Sequence, residues 1–174
     1  MKAARVCILF SIILSILAVA SAFGQAERFT DPDVDYSFDV PDAKWKMTVA
    51  PSATSPNVEY VYADRNDGHL EVRRLAVSKD AHLEDIIRVE EQKLQFLPGY
   101  VAGPGENFAG RLRGSVFNFE FVRAGKSMGG RFYFLRTADN KVYLLRFTGF
   151  RDKLKSIRNQ TDSMGRTFDV RKAA

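Results

Sequence analysis

The chain of 174 residues has very few of the side chains on which many small enzymes and disulfide-rich domains depend. It contains one cysteine, Cys7, and two histidines, His69 and His82. Because Cys7 lies in the hydrophobic N-terminal run, the remainder has no thiol, which excludes disulfides, cysteine-ligated zinc and cysteine nucleophiles there. A small domain without such cross-links depends on its hydrophobic core. Fourteen phenylalanines and six tyrosines are available to build one.

The N-terminus carries the pattern of a secretory signal peptide. Lys2 and Arg5 precede an apolar run over residues 6–20, and Ala20-Ser21-Ala22 supplies the small residues that a signal peptidase recognises. The run of about 15 residues is shorter than the roughly 20 of a membrane-spanning helix. We therefore expect cleavage after Ala22 and a periplasmic or secreted mature protein. An uncleaved leader that tethers the chain to a membrane is the alternative.

The charge is mildly basic and evenly spread. The formal net charge is +5, and without Lys2 and Arg5 the chain has 24 basic residues against 21 acidic ones, a net charge near +3. No dense basic run occurs, which argues against a nucleic-acid partner. A surface of this kind suits an acidic partner or peripheral association with an anionic membrane.

Hydrophobic periodicity divides the chain into a signal peptide (residues 1–22), a flexible lead-in (23–33) and a single α+β domain (34–170). Alternation of apolar and polar residues predicts strands, and spacing of three and four predicts helices. The expected strands are 36–40, 45–49, 58–63, 70–77, 115–123, 131–137 and 142–150, and the expected helices are 83–97 and 154–168. A glycine-rich crossover is expected at 100–110 and a turn at 124–130.

The last two strands are rich in apolar residues on both faces. Pairing them about Asp139-Asn140 predicts Phe132 and Phe147 on one face. Tyr133 and Arg146 then fall on the other face. An antiparallel sheet with one solvated face shows cleaner alternation. We therefore expect an α+β fold in which a mostly antiparallel sheet is sandwiched by helices.

Several segments in this order resemble the PsbP-type fold, an α/β/α sandwich that also occurs in exported bacterial proteins of the DcrB kind. The resemblance rests on Tyr36-Ser37-Phe38-Asp39-Val40-Pro41 with Trp45, and on segments 58–62, 83–97, 142–145 and 163–168. It covers about residues 34–170 and concerns the fold. It implies a non-enzymatic accessory or binding role toward a protein or membrane complex. It offers no catalytic motif and no cofactor site to transfer.

The two histidines define the principal catalytic alternative. His69 follows Asp67, and His82 lies beside Asp80 and Glu84. Imidazole and carboxylate groups are suitable ligands for zinc or manganese, so this neighbourhood indicates a small metal-dependent hydrolase. The spacing matches no established zinc motif, and turn or helix-capping roles explain the same residues.

Arginines among the aromatic strands indicate a binding site. An arginine within an apolar strand is costly unless it is paired or solvated. One interpretation is that these side chains extend over the sheet edge and pair with Glu120 or Asp152. The other is an anion or acidic-partner site under the 99–110 loop, formed by Arg111, Arg113, Arg131, Tyr133 and Arg146.

These observations predict an exported, non-catalytic binding or accessory protein that recognises a protein or an envelope component. The metal-dependent hydrolase and the membrane-tethered module are the alternatives.

Overall fold

The computed structural model describes residues 26–78 and 80–171. The predicted signal peptide, residues 1–22, lies outside the described residues. Within the described residues, no helix is both long enough and apolar enough to cross a membrane.

The chain forms ten strands and three helices within the described ranges. The strands are β1 (Glu27–Thr30), β2 (Tyr36–Val40), β3 (Trp45–Val49), β4 (Val58–Tyr62), β5 (His69–Leu75), β6 (Val101–Ala109), β7 (Arg113–Arg123), β8 (Lys126–Arg136), β9 (Val142–Phe150) and β10 (Asp169–Val170). The helices are α1 (Leu83–Leu94), α2 (Arg151–Ser156) and α3 (Arg158–Thr167).

A large antiparallel sheet forms the middle layer. Its strand order is β3-β4-β5-β9-β8-β7-β6, and a smaller sheet has the order β1-β2-β10. Helix α1 packs on one face of the large sheet, while the small sheet, α2 and α3 pack on the other. The expected α+β architecture, a mostly antiparallel sheet sandwiched by helices, is confirmed.

The large sheet separates two hydrophobic clusters. The cluster under the small sheet and α3 includes Phe38, Tyr143 and Phe168. The cluster under α1 includes Phe119 and Phe132. Each cluster is built from one set of alternating strand positions, because successive side chains of a strand point to opposite faces. Strands β7, β8 and β9 are neighbours, which includes the predicted pairing of the last two strands.

Two segments that were expected to be irregular are strands. Glu27–Thr30, within the predicted flexible lead-in, pair with β2, so that prediction is wrong over these four residues. The predicted glycine-rich crossover is largely β6, the edge strand of the large sheet. Pro104 lies in this strand, beside a register shift between Ala102 and Gly105. Proline and irregular pairing are tolerated at an edge, which is why the segment is extended despite its composition.

The turn predicted at 124–130 contains only two residues. Ala124 and Gly125 both have positive φ angles, 50° and 73°, and Arg123 pairs directly with Lys126. Two-residue turns of this kind match the twist of the strands they join. Strand β8 therefore begins at Lys126, and most of the predicted turn is strand.

The predicted register of the last hairpin is wrong by one residue. Phe132 pairs with Arg146, and Tyr133 pairs with Leu145. Because strand side chains alternate, this one-residue difference places Arg146 on the face opposite to Tyr133. Both faces of the hairpin are nonetheless buried over most of their length.

The helices are shorter than the predicted ones. Helix α1 ends at Leu94 rather than at residue 97, because Pro98 and Gly99 follow closely. The predicted C-terminal helix is divided into α2 and α3 at Ile157, a buried residue. The helical stretch begins at Arg151, and Phe168 follows it as a cap residue.

Candidate functional site: a basic basin on the sheet

The structure does not bring together all five residues of the predicted anion site. Arg131 and Tyr133 are adjacent on one face of β8. Arg146 lies on the other face, where it pairs with Phe132. Arg111 forms an ion pair with Asp169, 2.9 Å apart, and Arg113 is exposed at the start of β7. The segment predicted to cover the site as a loop is strand β6.

Arg131 is the centre of a buried polar network. Its side chain is 7% exposed, and its Nε–H donates to Tyr133 Oη at 2.7 Å. Its Nη1 donates to Asn118 Oδ1 at 2.7 Å and to Glu106 at 3.3 Å. Its Nη2 donates to Asp162 at 2.9 Å and to Glu106 at 3.3 Å. All five N–H donors of the guanidinium are thereby engaged.

The charges in this network stabilise one another. Burial lowers the pKa of Arg131, but the hydrogen bonds that it donates to Glu106, Tyr133 and Asp162 outweigh that effect and hold the pKa above its ordinary value. The hydrogen bond from Arg131 lowers the pKa of Glu106. Burial, followed by the hydrogen bond to Asp162, raises the pKa of Tyr133. Arg131 therefore joins β6, β7, β8 and α3, and it has no donor left for a ligand.

A groove of 360 Å³ runs beside this network, between β6 and α2. Arg158, at its rim, pairs with Glu106 at 2.9 Å, and Arg151 pairs with Glu120 at 3.5 Å. The cations of the groove are largely neutralised by neighbouring carboxylates. The groove is consequently a weaker anion site than its arginine content indicates.

The two histidines belong to different parts of the fold. His69 begins β5, and its Nε2 lies 2.8 Å from Glu59 Oε2. His82 precedes α1, beyond the other end of β5. The seven residues of β5 separate its two ends by about 20 Å. Among residues 26–78 and 80–171, no group of three or more His, Cys, Asp and Glu side chains is arranged to hold a metal ion.

The face of the large sheet that carries α1 changes character along its strands. Over β7 and β8 it is aromatic and packs against α1. Over β4, β5 and β9 the same face carries polar side chains that are at least partly exposed, among them Glu59, His69, Glu71, Arg73 and Thr148. We call this region the open half of the sheet.

A depression of 210 Å³ lies at the end of the open half that is nearest the β7–β8 turn. It is lined by Arg65, His69, Glu71, Arg123, Met128, Arg146 and Thr148. We call these seven residues the basic basin. Three guanidinium groups and one imidazole face a single carboxylate within it. Glu59, just outside, pairs with His69 at 2.8 Å and Arg65 at 3.5 Å.

Arg146 is a partly buried cation of the basic basin whose hydrogen-bonding capacity is only partly used. Its Nη1 lies 3.2 Å from Glu71, a carboxylate that Arg73 also contacts. Its guanidinium lies 4.9 Å from the centre of the Phe132 ring. Its Nε is buried and has no hydrogen-bond partner among the described residues. Burial lowers the pKa of Arg146, and the pull of Glu71 only partly opposes that effect. An additional anion would stabilise this group.

Arg123 has no carboxylate partner among the described residues. It lies at the end of β7, is exposed, and stacks on the Phe121 ring with 5.4 Å to the ring centre. A donor of this kind at the rim of a pocket is available to an incoming acidic group. Arg123 and Arg146 are therefore two cations of the basic basin that lack some of their possible hydrogen-bond acceptors.

The sequence contained a partial signal for this site. His69, Glu71 and Arg73 alternate with buried Leu70 and Val72, which indicates a strand with one polar face. Nothing in the pattern places the β4–β5 turn and the β7–β8 turn at the same end of the sheet. The contributions of Arg65 and Arg123 were therefore not predictable from periodicity.

Comparison with known proteins shows the fold. No protein-family model and no curated protein matches the chain. Among solved structures, the cyanobacterial PsbP protein of Synechocystis sp. PCC 6803 is similar with a TM-score of 0.60 at 15% identity, over 88% of this chain and 98% of that chain. The fold-level resemblance to PsbP-type proteins is thus confirmed.

Two further structures show the same architecture. LpqN of Mycobacterium tuberculosis, described as involved in cell envelope biogenesis, has a TM-score of 0.56 at 16% identity, over 86% of this chain and 93% of that chain. PA94 of Pseudomonas aeruginosa, a protein of unknown function, has a TM-score of 0.55 at 13% identity, over 86% of this chain and all of that chain. Identities this low concern the fold, and function has to be argued from the site.

Proposed function

We propose that this chain is an exported, non-catalytic accessory protein that binds an acidic segment of a partner protein in the cell envelope. The observation that carries the proposal is the basic basin, where Arg146 Nε is buried without a partner and Arg123 has no carboxylate. A carboxylate of a partner supplies the acceptor that Arg123 lacks, and it adds a negative charge beside the exposed part of the Arg146 guanidinium. Charge-assisted hydrogen bonds of this type are stronger than neutral ones.

A protein partner is favoured by the surroundings of the basic basin. The open half of the sheet continues from it across β4 and β5 and carries Glu59, Glu71 and Arg73, so charges of both signs are interspersed. Such a mixed surface gives specificity and register to a macromolecular contact. A site for a small anion alone has no need of this extension.

Export and the accessory role draw on separate support. The N-terminal pattern of residues 1–22 supports export. The similarity in fold to LpqN, which is described as involved in cell envelope biogenesis, supports a place in the envelope. These are arguments by pattern and by fold, and the basic basin supplies the physical argument for binding.

The test compares charge reversal at the two ends of one strand. Arg123 and Arg113 are both exposed, lie on the same face of β7 and are separated by about 33 Å along it. We expect Arg123→Glu to weaken binding of poly-L-glutamate at low salt by about tenfold or more, since one charge-assisted hydrogen bond contributes about 1.5–3 kcal/mol. Arg113→Glu should retain the affinity. Affinity is measured by fluorescence anisotropy of labelled poly-L-glutamate.

The same pair of variants then identifies the partner. A photo-crosslinking residue is introduced at Arg73, in the open half of the sheet, and the chain is expressed in its host. We expect one adduct that persists with Arg113→Glu and is lost with Arg123→Glu. Equal affinity of the two variants for poly-L-glutamate, or equal adduct formation, would contradict the proposal.

A further inference from the structure

The α1–β6 connection exposes an apolar tip that the basic basin does not use. Phe96 is 90% exposed and Val101 is 61% exposed, and Val122 is the third exposed apolar side chain of the group. Isolated exposed apolar residues are common, whereas a cluster marks an interaction site. We call Phe96, Pro98, Val101 and Val122 the apolar tip.

The members of the apolar tip are held together by the backbone. Val122 N–H donates to Pro98 O at 2.7 Å, so the connection is fixed to the end of β7. Gly99, with a φ angle of 63°, lies directly against the Val122 side chain. Val101 pairs with Glu120, two residues from Val122. Pro98, Val101 and Val122 therefore lie together, and Phe96 is only two residues from Pro98 along the chain.

The exposure of Phe96 follows from the positions of its neighbours. Leu97 packs into the cluster under α1. Tyr100 also packs there, and its hydroxyl donates to Glu91 at 3.1 Å. With these two side chains directed inward, Phe96 is left in solvent. Residues 94–105 contain no charged side chain, so the segment presents an uncharged surface.

Cations surround the apolar tip on the side of the β7–β8 turn. Lys126 stacks over the Phe150 ring, 5.0 Å from its centre, and like Arg123 it has no ion-pair partner among the described residues. Lys93 and Arg151 are also near, but Glu90 and Glu120 pair with them. Glu91, which accepts from Tyr100, also has no ion-pair partner among the described residues, so two unpaired cations stand against one unpaired carboxylate and the net charge beside the tip is positive.

We infer that the apolar tip docks on the surface of an anionic lipid bilayer, with Phe96 inserted among the headgroups and Lys126 close to lipid phosphates. An aromatic side chain at a protruding tip with flanking cations has the two elements of interfacial binding, apolar burial and attraction to anionic lipid. The inference goes beyond the proposed function, because Phe96 and Lys126 lie outside the basic basin.

The experiment measures partition of the purified chain, lacking residues 1–22, onto vesicles by sedimentation. Vesicles of 30% phosphatidylglycerol in phosphatidylcholine are compared with pure phosphatidylcholine. We expect binding to the anionic vesicles, reduced about tenfold by Phe96→Ser through the loss of apolar burial. Lys126→Glu should reduce it by about fivefold or more, the effect of one basic residue near an anionic surface.

A matched control and a direct probe complete the test. Val89→Ser alters another exposed apolar residue, on α1, and should leave partition unchanged. A Phe96→Trp variant should show a blue shift of tryptophan emission with anionic vesicles, while buried Trp45 contributes a constant signal. Absence of partition onto anionic vesicles, or equal partition of wild type and Phe96→Ser, would overturn the inference. Concentration-dependent self-association through Phe96 without vesicle binding would overturn it in favour of a second copy of the chain.

The vesicle experiment and the poly-L-glutamate experiment can fail independently of each other. Arg123→Glu is the variant that reports on poly-L-glutamate binding, whereas Phe96→Ser reports on vesicles. A variant that loses poly-L-glutamate binding and keeps vesicle binding, or the reverse, shows that the two surfaces act independently.

Discussion

Replacing Arg131 with methionine tests whether this residue is a structural connector rather than a ligand-binding group. Methionine approximates the length of the side chain but removes the charge and all five donors. The substitution leaves Asp162, whose side chain is 14% exposed, beside Tyr133 without its cation. It also leaves Asn118 Oδ1 without the donor that lies 2.7 Å away.

The magnitude follows from the burial of these partners. Removing one member of a buried ion pair costs about 3–5 kcal/mol, because the remaining charge is uncompensated. Glu106 is about one-third exposed and keeps Arg158 at 2.9 Å, so its share of the penalty is small. We therefore expect the free energy of unfolding to fall by about 3 kcal/mol. For a domain of this size that corresponds to roughly 10 °C in the unfolding temperature.

The assay is urea denaturation monitored by circular dichroism, with thermal unfolding as a second readout. Arg88→Met is the matched control, since Arg88 pairs with Asp85 on the exposed surface of α1 and such pairs contribute about 0.5 kcal/mol or less. Adding Asp162→Asn to Arg131→Met should restore part of the loss, because the unpaired carboxylate is removed. A loss for Arg131→Met within about 1 kcal/mol of the control would refute this account.

Two further predictions concern the same region. Gly130→Ala should destabilise the fold by more than about 2 kcal/mol in urea denaturation, because a Cβ there would overlap the Phe119 ring. Gly105→Ala is the control and should be nearly neutral, since the space around Gly105 is open. Equal effects of the two substitutions would contradict this packing. Glu106→Gln should flatten the acid dependence of the unfolding temperature. The pKa of Glu106 is lowered in the folded state, so its stabilisation is present above about pH 4.5 and is lost as the pH falls through the folded-state pKa; parallel pH profiles for wild type and variant would exclude this role.

The positions and buried faces of the core strands could be predicted from the sequence because these strands alternate strongly between apolar and polar residues. Phe117, Phe119 and Phe121 recur at every second position, and each is buried in the structure. The helix that begins at Leu83 could be predicted for the same reason, from apolar residues spaced three and four apart. Local patterns of this kind report which face of an element is buried.

The details that were wrong depend on pairing, which periodicity does not contain. A strand that shifts by one residue reverses the facing of each side chain. The predicted hairpin register therefore placed Arg146 beside Tyr133, whereas the pairing of Phe132 with Arg146 separates them. Likewise, β6 is a strand because β7 offers it an edge, and its glycines and Pro104 conceal this in the sequence.

The candidate site could be predicted only in part from the sequence. Arginine among aromatic residues indicated buried cations, and Arg131 is one, but its acceptors come from β6, β7, β8 and α3. The seven residues of the basic basin come from turns and strands that are brought together only when the sheet is assembled. Arg146 is the one residue shared by the predicted anion site and the basic basin.

The large sheet separates two hydrophobic cores that share no side chain. Substitutions that are far apart and share no partners have additive effects on stability. A substitution in the core beneath α1 accordingly needs no compensating substitution in the core beneath the small sheet, when the two sites are far apart. Two cores that tolerate substitution separately are compatible with many sequences, and chains only 13–16% identical to this one have the same architecture.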